Sequence, residues 1–201
     1  MSKISSQDFF QAWADTVTNR KEHLLGIWRQ AREFTSCVKG NEASIMHEVA
    51  TQLNLKCYHN DYYFIDTVLY KDEDLVPDRP QGSYWFRDMR VAFEHENNFR
   101  SGLYQEVSHL LITNSDLKVL VTYPNTDEEA EEGLQYLHSI INGNRYSRTI
   151  SEDESFLIIF GSESGFIWKG YVYKENEWKQ ISFKLTNTAG NSGLASVGHD
   201  E

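Results

Sequence analysis

The sequence predicts an α/β protein of the α+β type, in which a central mixed sheet is flanked by helices. The first observation is the order of elements over residues 41–141, which is a helix, two or three antiparallel strands, a helix, a strand and a helix. The second is a change of character at Ser155, after which aromatic and β-branched residues indicate two or three further strands. This order is typical of a sheet packed between helices and not of a long alternation of β-α units.

Length and composition indicate one folded domain. The chain has 201 residues, of which 40% are hydrophobic and 13% aromatic, and this is enough for a core. We expect a single domain over 1–186, made of an N-terminal helical extension at 6–35, a core at 41–141 and C-terminal strands at 155–185. Residues 187–201 are rich in Gly, Ser, Asn and Ala, so we expect them to form a disordered tail.

Charge and cysteine content restrict the class of protein. The net charge of −11 weighs against a protein that coats nucleic acid non-specifically, since such binding needs Lys and Arg against phosphates. No apolar run approaches the roughly 18 residues of a membrane span, and the first residues show no secretory signal. Cys37 and Cys57 form no CxxC pair, so neither a zinc site nor a disulfide framework is predicted. We therefore expect a cytoplasmic protein with no membrane partner.

Two helical segments are predicted before the first strand. Apolar residues recur at three- and four-residue spacing from Ser6 to Thr35, with Ser6 as the N-cap and Gly26 as a point where the helix kinks or splits. Gly40-Asn41 then breaks the chain, and a second helix is predicted at about Glu42–Leu53.

The central strands are predicted from residue type and alternation. Tyr58–Tyr70 is rich in aromatic and β-branched residues, which is typical of a strand or a hairpin. Alternation with a period of two places Asp66 on the same face as Phe64 and Val68. After a charged loop that contains proline, strand character returns at Met89–Asn97.

The rest of the chain supplies two helices and four strands. Helical spacing over 102–113 is followed by an apolar run at 117–123 that fits a buried strand, and Thr126 caps an acidic helix that extends to about Ile141. Three later strands are predicted at Phe156–Phe160, Phe166–Tyr173 and Trp178–Leu185. Their Tyr and Trp residues fit an extension of the sheet, a homodimer surface or simple core packing, and the sequence leaves these three open.

Three carboxylates interrupt the apolar strands. Glu94 and Glu96 are two residues apart, so both side chains leave one face of a strand, and Asp66 interrupts the neighbouring segment. Buried acids are costly because like charges repel and lose their hydration. A divalent cation relieves both costs, and Mg²⁺ prefers carboxylate oxygens. Alternation equally permits the opposite arrangement, with Phe93 and His95 inside and both glutamates in solvent.

These acids follow one another in an order known from one enzyme superfamily. Ile65-Asp66 comes on the second predicted strand of the core and Glu94-His95-Glu96 on the third, with Glu48 on the preceding helix. The set resembles the PD-(D/E)XK nuclease superfamily, in which these places hold the PD pair, the (D/E)xK motif and an additional acid. Gln105 and Glu106 lie where some members carry a functional polar residue. The resemblance covers roughly residues 41–123 and depends on the order of the motifs.

The resemblance implies a restriction-endonuclease-like sandwich and metal-dependent hydrolysis of phosphodiester bonds in DNA or RNA. It implies that Asp66 and Glu94 hold Mg²⁺ or Mn²⁺, with Glu48 as an outer ligand. Glu96 occupies the place of the motif Lys, which usually orients or activates the attacking water, so Glu96 is expected to accept a proton from that water or to position it. Lys118 is a candidate substitute for that Lys, although a solvated or strand-edge Lys is the simpler interpretation.

Different functions remain open at this point. The three retained acids favour a metal-dependent nuclease, because an inactive site has no obvious reason to keep costly carboxylates. The net charge of −11 and the replacement of the motif Lys by Glu96 favour a non-catalytic member of the same fold that serves as a binding module. A third hypothesis is an acidic protein that shields a partner by mimicking the charge of nucleic acid.

Overall fold

The computed structural model describes residues 3–184, and within this range it contains one seven-stranded sheet and seven α-helices. The predicted tail at 187–201 lies outside the described residues. In chain order the helices are α1 (Ser6–Asn19), α2 (Lys21–Ile27), α3 (Ala31–Lys39), α4 (Ile45–Gln52), α5 (Leu103–Ile112), α6 (Asp127–Asn142) and α7 (Ser147–Glu152). The strands are β1 (Lys56–Tyr58), β2 (Thr67–Tyr70), β3 (Val91–Glu96), β4 (Leu117–Thr122), β5 (Phe156–Ser162), β6 (Ile167–Lys174) and β7 (Glu177–Ile181).

The strands lie in the sheet in the same order as in the chain. β1, β2 and β3 form an antiparallel meander, β4 and β5 run parallel to β3, and β6 and β7 return antiparallel. Each parallel pair needs a crossover, which α5 supplies between β3 and β4, and α6 with α7 between β4 and β5. The predicted α+β fold with a central mixed sheet is therefore confirmed. Of the three interpretations of the C-terminal strands, two are observed together, because β5 to β7 extend the sheet and Trp168 and Tyr173 are buried in the core.

The N-terminal segment forms three helices, and the predicted split at Gly26 lies one residue before the end of α2. The first break comes at Arg20, between α1 and α2, and α2 continues one residue beyond Gly26. Ser5, rather than Ser6, is the N-cap of α1, because its hydroxyl accepts a hydrogen bond of 3.0 Å from the Asp8 N–H. Breaks between short helices let the apolar faces of α1 and α3 both reach the same core layer.

Two apolar layers cover the two faces of the sheet. Helices α1 to α4 enclose one layer, in which Trp13 packs edge-on against Trp168 and lies against Phe93, with ring centroids 5.4 and 5.9 Å apart. Helices α5 to α7 enclose the other layer, which contains Ala92 and Leu120 of the central strands. Because β3 is covered on both faces, the predicted alternative of a one-sided sheet with its glutamates in solvent is wrong for Glu94, which is buried.

The loop before β2 departs from the predicted strand. Tyr63 and Phe64 have positive φ values of 50° and 72°, and the Phe64 N–H donates to the Asp61 carboxylate over 2.9 Å. Phe64 is therefore turned out to solvent while Val68 is buried, so the predicted shared face of Phe64 and Val68 is wrong. The left-handed residues break the alternation, and Asp66 stands immediately before the strand.

Other helix boundaries follow local signals. Thr126 is the N-cap of α6, as predicted, and its hydroxyl accepts from the Glu129 N–H over 3.1 Å. Helix α7 has no counterpart in the sequence prediction, because Ile150 is the one apolar residue among its six.

None of the helices within residues 3–184 combines the length and apolar composition needed to cross a bilayer.

Candidate metal centre

Glu94 is the most deeply buried acid of the predicted cluster. Its side chain is 1% exposed, between β3 and α5. Oε2 lies 3.4 Å from the backbone N–H of Asp66, and Oε1 has no hydrogen-bond partner. Burial, together with the charges of Asp66 and Glu106, raises the pKa of Glu94 to about 10. The metal-free protein therefore holds Glu94 protonated at neutral pH.

Asp66 lies beside Glu94 because β2 and β3 are antiparallel neighbours. The register pairs Thr67 with Phe93, which brings the residue before β2 next to Glu94. One carboxylate oxygen of Asp66 accepts the His95 backbone N–H over 2.9 Å, and the other forms an ion pair with the Lys39 ammonium. The two residues predicted as the main metal ligands are therefore neighbours through the Asp66 backbone, while both carboxylate oxygens of Asp66 have other partners.

Lys39 places a positive charge at this acidic site. It is the last residue of α3, and both Lys39 and Asp66 are partly buried. Lys118, the substitute considered from the sequence, is neither solvated nor on an edge strand, since it is 7% exposed on the central β4. Its ammonium lies 3.4 Å from the Ser115 carbonyl oxygen, and burial lowers its pKa to about 8. The cation at Asp66 is therefore Lys39 and not Lys118.

Helix α5 adds two further ligand-type side chains. Nδ1 of His109 lies 3.5 Å from Oε2 of Glu106 and 3.9 Å from Oε1 of Glu94. One ligand atom from each of these three residues lies within 4.8 Å of the other two. Burial, followed by the charge of Asp66, raises the pKa of Glu106. An unpartnered buried oxygen among further ligand atoms is a set that suits a divalent cation.

Glu96 lies at the end of β3, where the sheet meets a tight loop. Its Oε1 accepts the Asn98 N–H over 2.5 Å. Its Oε2 lies 2.8 Å from the place that a Cβ on residue 102 would occupy, and Gly102 has a φ of +104°. The missing side chain of Gly102 therefore makes room for this carboxylate beside the N-terminus of α5.

Glu48 has a different partner from the one predicted. It lies on α4, and its Oε1 forms an ion pair with the Arg20 guanidinium at the start of α2. Its side chain is 44% exposed. An outer-ligand role for Glu48 would require this ion pair to open, and that role stays a prediction.

His95 supports the site from the opposite face of β3. Its Nε2 is 2.8 Å from the Tyr123 hydroxyl, and its ring stacks on Phe34 with centroids 6.0 Å apart. Burial, with the charge of Lys39, lowers the pKa of His95 to about 3, so the imidazole is neutral. Its contribution to the site is its backbone N–H, which holds Asp66.

Neither Lys39 nor His109 is among the site residues predicted from the sequence. The signal for His109 is the Glu106-x-x-His109 spacing, since residues three apart lie on one face of a helix. For Lys39 no local signal exists, because 27 residues separate it from Asp66.

No protein-family model, curated protein or solved structure matches this chain.

Proposed function

We propose that this protein is a metal-dependent nuclease that hydrolyses phosphodiester bonds and that has the restriction-endonuclease-like arrangement of the PD-(D/E)XK superfamily. The observation that carries the proposal is the buried Glu94 carboxylate, whose Oε2 lies against the backbone N–H of Asp66 and whose Oε1 has no hydrogen-bond partner. The order of elements supports it, because α4, the β1–β3 meander, α5 and the parallel β4 follow one another as in that core.

Asp66 and Glu94 are the proposed ligands for Mg²⁺ or Mn²⁺. Both carboxylates are charge-rich oxygen donors, and the backbone N–H of Asp66 contacts Glu94 across β2 and β3. When bound, a divalent cation polarises a phosphate oxygen and lowers the pKa of a coordinated water. The raised pKa of Glu94 means that loading at neutral pH releases a proton from this side chain.

Lys39 and Glu96 supply the remaining chemistry in this proposal. The Lys39 ammonium holds Asp66 in place and offers positive charge to an incoming phosphate, in a chain whose net charge is −11. Glu96 has one oxygen fixed by the Asn98 N–H, which leaves the other to accept a proton from the attacking water or to orient it. In this proposal Lys39 takes over part of the role of the lysine that the motif lacks.

A nicking assay tests the proposal. Supercoiled plasmid and a labelled single-stranded RNA are incubated with the protein and Mn²⁺ or Mg²⁺. Asp66→Asn keeps the shape of the side chain but loses the charge, so we expect its nicking rate to fall by at least roughly a hundredfold. Asp72→Asn is the matched control, because Asp72 is an exposed acid paired with Lys56.

The contribution of Lys39 has its own pair of variants. Lys39→Met should lower the nicking rate by at least about tenfold, since Asp66 loses its cationic partner. Lys56→Met should leave the rate unchanged, because the Lys56–Asp72 pair is on the surface. Equal rates for both variants would contradict the role given to Lys39.

A non-catalytic binding module is the second candidate function. Two observations favour it. Glu96 stands in place of the motif Lys, and Glu48 on α4 already forms an ion pair with Arg20. This candidate predicts a protein that binds Mn²⁺ in calorimetry but cleaves neither plasmid nor RNA. That result would refute the nuclease proposal, whereas nicking abolished by Asp66→Asn would refute the binding module.

A further inference from the structure

Helix α5 turns one face towards Glu94 at the candidate metal centre. Glu106 and His109 are three residues apart on this helix, so their side chains lie on the same face. The His109 imidazole reaches both carboxylates, with Nδ1 at 3.5 Å from Glu106 and 3.9 Å from Glu94. Two ligands of one ion at about 2.1 Å are about 3.0 to 3.4 Å apart, so small side-chain shifts would bring these atoms around one cation.

Two of these atoms lack partners where partners are normally required. Glu94 is 1% exposed, and its Oε1 has no hydrogen-bond partner. Nδ1 of His109 is likewise buried and makes no hydrogen bond of good geometry, with Glu106 Oε2 at 3.5 Å as its nearest carboxylate oxygen. Leaving a buried polar atom unsatisfied costs about 1–3 kcal/mol, so native structures rarely keep such atoms without a reason. A cation between them removes both deficits at once.

His109 stacks on an aromatic ring from the loop before β2. The Phe64 ring stacks on the imidazole with centroids 5.3 Å apart and planes at 26°. Phe64 is otherwise 69% exposed and has a φ of 72°, which is unusual for an aromatic residue. The loop before β2 therefore supplies Asp66 to the site and also covers the outer side of His109. A ring held in this way is oriented before any ligand arrives.

We propose that Glu94, Glu106 and His109 form a metal site with one imidazole ligand, which prefers a first-row transition-metal ion such as Mn²⁺ to Mg²⁺. Imidazole nitrogen suits transition metals, whereas Mg²⁺ takes oxygen ligands and keeps much of its water. The inference rests on the proposed function only in that it uses the same carboxylate, Glu94.

The direct test is pulsed electron paramagnetic resonance of Mn²⁺ added to the full chain, purified without a histidine tag. We expect a nitrogen coupling from a directly bound imidazole in the wild type and its loss in His109→Leu. His23→Leu is the matched control, because His23 is an exposed histidine on α2. Wild-type protein that binds Mn²⁺ without nitrogen coupling would overturn the proposal, and this result needs no variant to fold.

Affinities provide the second readout. His109→Leu and Glu106→Gln should each weaken Mn²⁺ binding by roughly 10–100-fold in calorimetry. His109→Leu should change Mg²⁺ binding much less, so the ratio of the two affinities should fall. Unchanged Mn²⁺ affinity in His109→Leu would overturn the proposal. Bound Mn²⁺ with nitrogen coupling but no nicking would refute the nuclease alone, whereas nicking with Mn²⁺ bound through oxygen only would refute this site alone.

Discussion

Replacement of Glu94 by Gln should stabilise the metal-free protein, and the gain should grow as the pH rises. The pKa of Glu94 is raised from an ordinary value of 4.5 to about 10, mainly by burial. At pH values between these two pKa values, Glu94 is protonated in the folded protein and has released its proton in the unfolded chain. The contribution of Glu94 to the free energy of unfolding is therefore fully present below the pKa of the unfolded chain. It is lost as the pH rises towards the pKa of the folded protein. The amide of the Glu94→Gln variant is neutral at every pH, so the variant has no such loss.

The expected size follows from the width of this window. Each pH unit inside it costs the wild type about 1.4 kcal/mol, so the difference between variant and wild type grows by up to about 2.7 kcal/mol from about pH 5.5 to about pH 7.5. The other titrating groups are common to both proteins, and their contributions largely cancel in this difference. The amide can still accept the Asp66 N–H, so the variant keeps this hydrogen bond of Glu94.

Urea denaturation at a series of pH values, with a chelator present, measures this difference. Glu131→Gln is the control, because Glu131 is an exposed glutamate on α6 and its replacement should show no pH trend. Addition of Mn²⁺ at about a hundred times its dissociation constant should stabilise the wild type by about 2.7 kcal/mol and the Glu94→Gln variant far less. A stability difference that stays constant with pH would refute the protonated, buried Glu94 on which this reasoning depends.

Two further predictions concern the framework of the site. Arg90→Leu should destabilise the protein by about 3–5 kcal/mol in urea denaturation, because it leaves Asp74, which is 2% exposed, without its guanidinium partner. Arg148→Ala, which breaks an exposed pair, should leave the stability unchanged, and equal effects of both changes would contradict the argument. Gly102→Ala should destabilise the protein by about 1–3 kcal/mol, because of its positive φ, and should displace Glu96. Wild-type nicking and stability in that variant would show that the Glu96 carboxylate does not depend on the open space at residue 102.

Local patterns were enough to predict much of the framework. The apolar run at 117–123 is β4, and the capping hydroxyl of Thr126 marks the start of α6. Periodicity succeeds in these places because backbone hydrogen bonding and one buried face act over a few residues. It fails before β2, where two left-handed residues turn Phe64 outwards, and at α7, whose residues are mostly polar.

In the candidate site, too, local patterns predict some contacts and not others. The order of the strands predicts that Asp66 and Glu94 are neighbours, because adjacent antiparallel strands bring nearby segments together. The pairing of Lys39 with Asp66, of Arg20 with Glu48 and of a histidine on α5 with Glu94 depends on how the helices pack on the sheet. These contacts join different elements, and the packing of helices on the sheet sets their distances. Spacing within α5 predicts that Glu106 and His109 share a face, but it does not predict which element that face meets.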